Sequence, residues 1–184
     1  MRAFLAIDFD SGLKAQIAGL QSRLRRYEIT GRWKHIDNFH LTLKFLDEIN
    51  EDNVKDIDGV MGDICAGRSG FGLYVAKLGC FPGRDAIRVL WLGLGGDLEK
   101  LGSLQGETDK GLSALGFETE KRPYRPHVTI AQDISFSRDF DGLTEMFDYK
   151  QFSPIRADRV YLFKSEQAGG KRLYTRISEY VFRR

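Results

Sequence analysis

Cysteine is nearly absent from this sequence: Cys65 and Cys80 are the only two, and they stand too far apart for a metal-ligand spacing. They read as buried reduced thiols rather than as a disulfide framework. No apolar run approaches the ~20 residues needed to cross a bilayer. The opening Met1-Arg2-Ala3-Phe4-Leu5-Ala6-Ile7-Asp8 turns acidic too soon for a signal peptide and reads as a first strand. Cytoplasmic residence with no membrane association is therefore expected. Charge of one sign is also scarce, because the 28 basic and 26 acidic residues leave a net charge of only +2. That balance excludes a chain that binds polyanions through bulk basicity. Basic residues do gather locally, at Arg23, Arg25, Arg26, Arg32 and Lys34 and again at Lys121, Arg122 and Arg125. Each group lies shortly before one of the two histidine motifs described below.

What is present is ordinary globular material. The 184 residues are 42% hydrophobic and 29% charged, which suits one domain or two small lobes sharing an interface. A folded chain of this length buries roughly 70% of the surface its unfolded form exposes, so the core needs no covalent staples. Residues 2–9 read as a buried strand. Leu13, Ile17, Leu20 and Leu24 recur at helical spacing and predict a helix from Ser11 to Tyr27, capped by Asp10 or Ser11. Val54, Ile57, Met61 and Ile64 predict a second amphipathic helix, and Leu98, Leu101, Leu104 and Leu112 a third, interrupted by glycines. Strands are expected at 40–46, 72–80, 87–94, 127–131, 156–165 and 172–182, with a short helix at 140–147. Ala168-Gly169-Gly170 marks the last turn. The Gly93–Gly96 segment lacks a full dinucleotide fingerprint and reads as a strand-to-helix turn.

There are three histidines, and two of them sit in the same pattern. His40-Leu41-Thr42-Leu43-Lys44 and His127-Val128-Thr129-Ile130 both alternate polar and apolar residues, as half-buried strands do. Side chains two apart share a strand face. On that rule His40, Thr42 and Lys44 point one way, and His127 and Thr129 do likewise in their own strand, while the leucines, Val128 and Ile130 anchor each strand to a core. Two such strands can surround one small anion with two imidazoles and two hydroxyls. In-line displacement at a phosphodiester needs that set: one imidazole takes a proton from water and the other gives one to the departing oxygen. The hydroxyls hold the non-bridging oxygens, and Lys44 adds charge. A single His-x-Thr carries almost no information, because a strand face accommodates both residues easily. The pair is what points to catalysis. The third histidine, His35, has no threonine two residues on and reads either as a surface residue or as one that supports the motif from behind.

The segments Trp33-Lys34-His35-Ile36-Asp37-Asn38-Phe39-His40-Leu41-Thr42-Leu43-Lys44-Phe45-Leu46 and Pro123-Tyr124-Arg125-Pro126-His127-Val128-Thr129-Ile130-Ala131 resemble the paired signatures of the 2H phosphoesterases. The closer resemblance is to the RNA 2′,3′-cyclic phosphodiesterase branch, once described as 2′-5′ RNA ligases. Arg2-Ala3-Phe4-Leu5-Ala6-Ile7 and Val89-Leu90-Trp91-Leu92-Gly93 extend the match over most of the chain, in the family's order. The resemblance implies a single bilobal, pseudo-symmetric α+β domain over 1–184: two antiparallel sheets, helices on their outer faces, a central groove. It implies no metal; no cofactor is expected either, nor a second copy of the chain, and the expected partners of this monomer are RNA ends or small cyclic-phosphate nucleotides. Cleavage would leave a 2′-phosphomonoester, with His40 as proton donor to the leaving 3′ oxygen and His127 as the acceptor that activates water. Thr42 and Thr129 match the phosphate-holding hydroxyls. Relatives often carry an arginine just after the second motif where this chain has Gln132, which makes Lys44 or Arg125 the candidate substitute. Phe9 is either core packing or a platform for a base at the groove edge. Three alternatives stay open: 2′-5′ ligation by the reverse reaction, hydrolysis of another cyclic phosphate, and an RNA-end-binding module without turnover.

Overall fold

A strand buried on both faces reads as a continuous apolar run, and Ala3–Ile7 is one. In the computed structural model, which describes residues 1–183, this segment is β1 (Arg2–Asp8). It lies inside a sheet between β3 (His40–Glu48) and β8 (Arg159–Ala168), and β9 (Lys171–Val181) completes the order β3-β1-β8-β9. Among the described residues a second sheet runs β2-β6-β5-β4-β7, from β2 (Glu28–Trp33), β6 (His127–Phe136), β5 (Ile87–Gly96), β4 (Phe71–Pro82) and β7 (Ile155–Ala157). Neighbours in both sheets pair antiparallel. The fold is the expected α+β arrangement of two antiparallel sheets.

The two sheets are not the two halves of the sequence. β2, from the first fifth of the chain, edges the second sheet, and β8 and β9, from its end, fill out the first. Each sheet therefore depends on distant parts of the chain. No strand was expected at Glu28–Trp33, whose side chains are half-buried or exposed throughout. It pairs with β6 through two register shifts, so it shows no clean alternation of polar and apolar residues.

The helices follow their apolar spacing. In α1 (Ser11–Leu24) the Asp10 carboxylate accepts from the Leu13 N–H at 2.8 Å, and Leu13, Ile17, Leu20 and Leu24 are buried. The last predicted turn, to Tyr27, is instead a tighter 3₁₀ turn over Arg25–Tyr27. α2 (Glu51–Ala66) opens with a reciprocal cap between Asn50 and Asn53 and buries Ile57, Met61 and Cys65. α3 (Leu98–Ser113) is continuous despite its glycines. Gly102 and Gly106 face open space, and at Gly111 an added Cβ would stand 2.9 Å from Val60 of α2, so that glycine lets the two helices close on each other. α4 (Phe140–Thr144) is shorter than the predicted 140–147 segment. One cluster of buried apolar side chains runs from α1 across both sheets to α2 and α3, with Leu5, Ile17, Leu41, Leu92 and Leu104 inaccessible to solvent.

Candidate active site

β3 and β6, the strands that carry the two histidine motifs, approach each other where the sheets meet. The Tyr124 hydroxyl, just ahead of β6, donates to the Thr42 carbonyl of β3 at 2.9 Å. Fully buried Phe39 fixes the entry to β3, and the Asn38 side chain donates to the Arg172 carbonyl of β9 at 2.9 Å. Burying Phe39 in the core turns the next side chain, His40, to the opposite face.

That face is aromatic. The His40 ring lies 4.7 Å from Phe4, 5.2 Å from Tyr174 and 6.3 Å from Phe163, centroid to centroid. With Ala6 and Tyr161, these rings form a second apolar cluster, separate from the main core. Burial among them pushes the His40 imidazole down from 6.5 to about 4. Asn38's backbone hydrogen bond and the Asp8 carboxylate oppose this shift, while Lys34 and Lys14 add to it. His40 is therefore neutral in the free protein at pH 7.

His127 is held differently. Its Nδ1 lies 2.6 Å from the Arg125 carbonyl oxygen, which can only accept, so Nδ1 carries the proton. In the neutral ring this leaves the Nε2 lone pair free to accept a proton. Phe81 meets the ring edge-on at 5.2 Å, and Trp91 lies 6.2 Å away. The indole of Trp91 crosses Gly79, where an added Cβ would come within 2.2 Å of the ring. This glycine is needed for close approach of the indole, not for its backbone conformation.

Both motifs break their alternation at the same place. β3 pairs Thr42 with Ala6 but Lys44 with Leu5, so Leu43 is an extra residue. β6 pairs Thr129 with Trp91 but Ala131 with Leu90, so Ile130 is extra. Each is a β-bulge immediately after the threonine, and each returns the next residue to the core side. The face of the histidine and threonine resumes one position later, at Phe45 and at Gln132.

The bulge overturns one expectation. Lys44 does not share the face of His40 and Thr42; it is 7% exposed, and its ammonium donates to Asp109 Oδ1 at 2.5 Å and to the Glu118 carbonyl at 2.6 Å. A lysine so engaged holds α3 and the following loop against β3 and is not free to meet a phosphate. Phe45 takes the position instead, 71% exposed and 6.1 Å from Phe4. Phe9 is a second correction: at 6% exposure it belongs to the main core and offers no face to a base. Phe45 was missed because strict alternation assigns it to the core, and only the bulge reverses that.

Arg125 is exposed, with its carbonyl committed to His127. Gln132 is half-buried, opposite Val89 on one side and Arg32 on the other. His35 caps the Ile36–Asn38 turn, its Nδ1 accepting from the Asp37 N–H at 3.4 Å. Among the described residues the hydroxyls of Thr42 and Thr129 have no hydrogen-bond partner in the protein, and no group of three or more His, Cys, Asp or Glu side chains is placed to hold a metal ion.

The family pattern for LigT-like phosphoesterases matches residues 7–91 and 96–174, which is most of the chain. The chain belongs to this family. Among curated relatives, the RNA 2′,3′-cyclic phosphodiesterase of Methanothermobacter thermautotrophicus is 32% identical over 186 aligned residues, covering 100% of this chain and 98% of that protein. The enzyme of the same name from Methanocaldococcus jannaschii is 31% identical, covering 98% and 100%. Among solved structures, E. coli LigT complexed with 3′-AMP superposes with a TM-score of 0.83 at 25% identity, covering 100% of this chain and 98% of that one. As a member of the LigT-like family, the chain thus shares its fold end to end with a protein crystallised with a nucleotide.

Proposed function

We propose that this chain is an RNA 2′,3′-cyclic phosphodiesterase, opening the terminal cyclic phosphate to a 2′-phosphomonoester with His40 and His127 as its proton carriers. The observation that carries the reading is the repeated motif together with its repeated bulge: each strand presents an imidazole and an unpartnered hydroxyl and then turns the next residue inward. Two relatives of that name, each more than 30% identical over essentially the whole chain, support the substrate class.

In this reading Thr42 and Thr129 donate to the non-bridging oxygens of the phosphate. His127, with Nδ1–H on the Arg125 carbonyl, takes a proton from water at Nε2. The water oxygen bonds to phosphorus as the bond to the 3′ oxygen breaks, and His40 delivers a proton to that oxygen. The product keeps its phosphate on the 2′ oxygen, and one proton has passed from water to leaving group. Because His40 is neutral in the free protein, it takes up its proton together with the anionic phosphate. Phe45, exposed at the edge of the same face, offers a surface on which the terminal base stacks. The free thiols, Cys65 and Cys80, fit the reducing cytoplasm as the compartment of action.

The test is incubation of a cyclic-phosphate-terminated oligonucleotide with the protein in excess chelator, with the product identified by mass and by its resistance to 3′-specific phosphatases. Turnover to a 2′-phosphate that persists in chelator is expected. Activity that disappears in chelator and returns with added metal refutes the mechanism.

A further inference from the structure

Arg32 and Lys34 close the first basic cluster of the sequence, and the fold gives them a third companion, Arg172, from the other end of the chain. The backbone of Lys34 is fixed from both sides: its N–H donates to the Ile130 carbonyl at 2.9 Å, and its carbonyl accepts from the Gln21 side chain at 3.0 Å. Ile130 is the bulged residue of the second motif, so Lys34 is tied to the strand of His127. Arg172 arrives from β9, where its carbonyl is gripped by Asn38, two residues before His40. The backbone of Lys34 is thus tied to the strand of His127, and that of Arg172 to the turn that leads into the strand of His40.

The two cations are close enough to repel. Burial, then Arg172, then Arg32 push the Lys34 ammonium below its usual value, and Lys34 in turn disfavours the charged form of His40. Arg32 has a carboxylate, Asp133, and the Arg172 guanidinium donates to the Ser165 hydroxyl at 3.2 Å. Among the described residues neither Lys34 nor Arg172 has a carboxylate partner. A half-buried ammonium beside a guanidinium with no counter-charge is unfavourable in the free protein, and a bound anion relieves it. Lys44 of β3, by contrast, is a basic residue whose charge the fold pairs with the Asp109 carboxylate.

We infer that Lys34 and Arg172 form a second phosphate subsite, which holds the phosphodiester on the 5′ side of the terminal nucleotide and so selects an RNA chain end over a free cyclic mononucleotide. This rests on the proposed reaction for the identity of the first phosphate. The charge is local rather than spread over the surface, as the net charge of +2 requires. A contact to phosphate reads no base, so the preference it creates is for length and not for sequence.

The experiment compares 2′,3′-cyclic AMP with a dinucleotide ending in a cyclic phosphate, for the wild-type protein and for Lys34→Met, Lys34→Arg and Arg172→Met. The wild type should prefer the dinucleotide in kcat/KM. Lys34→Met and Arg172→Met should each lower that preference about tenfold and reduce the salt dependence of dinucleotide binding by about one in slope, while Lys34→Arg keeps most of both. Lys55→Met, which alters an exposed lysine on α2, should change neither. A preference that survives Lys34→Met, or a loss that is equal on both substrates, overturns the subsite. Binding of the 2′-phosphorylated dinucleotide, followed by fluorescence anisotropy against the 2′-phosphorylated nucleoside, separates this inference from the reaction itself. Absence of turnover by the wild type would refute the catalytic reading, and a dinucleotide preference lost in Lys34→Met would still support the subsite.

Discussion

Adding inorganic phosphate to the free protein should carry the titration of His40 from about 4 toward neutrality. The aromatic pocket disfavours the imidazolium by about 3 kcal/mol, the cost of moving its titration from 6.5 to about 4. At pH 7 only about one molecule in a thousand then carries the charge. A phosphate monoanion about 4 Å from the ring attracts it by about 4 kcal/mol at an effective dielectric near 20, which restores roughly three pH units. The two magnitudes match, so one bound phosphate brings the acid to readiness near neutral pH and its departure disarms it. Imidazole NMR reads this directly, with the signal assigned by its loss in His40→Ala. In kinetics, the acid limb of kcat/KM, which reports the free enzyme, should lie near 4, and the corresponding limb of kcat should lie higher. Titration of His40 near 6.5 without phosphate, or near 4 with phosphate saturating, would refute the reasoning.

His40→Ala and His127→Ala should each lose 10²- to 10⁴-fold in turnover, with melting temperatures near that of the wild type. A substrate whose departing 3′ atom is sulfur should restore much of the activity of His40→Ala and none of that of His127→Ala, because a thiolate leaves without a proton; equal responses would remove the assigned roles. Lys44→Met strands the Asp109 carboxylate and should cost about 3 kcal/mol, or about 10 °C in melting temperature, with activity per folded molecule retained. Pairing it with Asp109→Leu should recover most of that loss. Phe45→Ala should leave stability unchanged and weaken oligonucleotide binding roughly tenfold, measured by anisotropy.

How much of this could be seen in the chain itself varies from element to element. Leu13, Ile17, Leu20 and Leu24 announce α1 because a helix packed on one side must repeat its apolar residues every three or four positions. The motif strands are equally legible up to their threonines. Beyond that point alternation fails, since a bulge inserts one residue and leaves no mark in composition, and Lys44 and Phe45 exchange faces as a result. Phe9 was ambiguous for another reason: it follows a buried strand, and only tertiary packing decides whether its ring turns inward. β2 was missed because an edge strand with two register shifts and few buried side chains resembles a loop. The approach of Arg172 to Lys34 spans most of the chain, and nothing local in the sequence announces it.

The Tyr124–Thr42 hydrogen bond ties the segment leading into β6 to β3, and the two motif strands otherwise belong to different sheets resting on shared packing. The spacing of the imidazoles is then a mechanical property of the interior, set by how residues such as Leu41 and Val128 fill the space behind them. Thermal expansion of that interior, or a single methylene removed from it, would spread the two halves of the chemistry before any strand melts. Heat should accordingly silence the protein some degrees below its unfolding transition, and a tighter core should raise the working temperature without a change at either histidine.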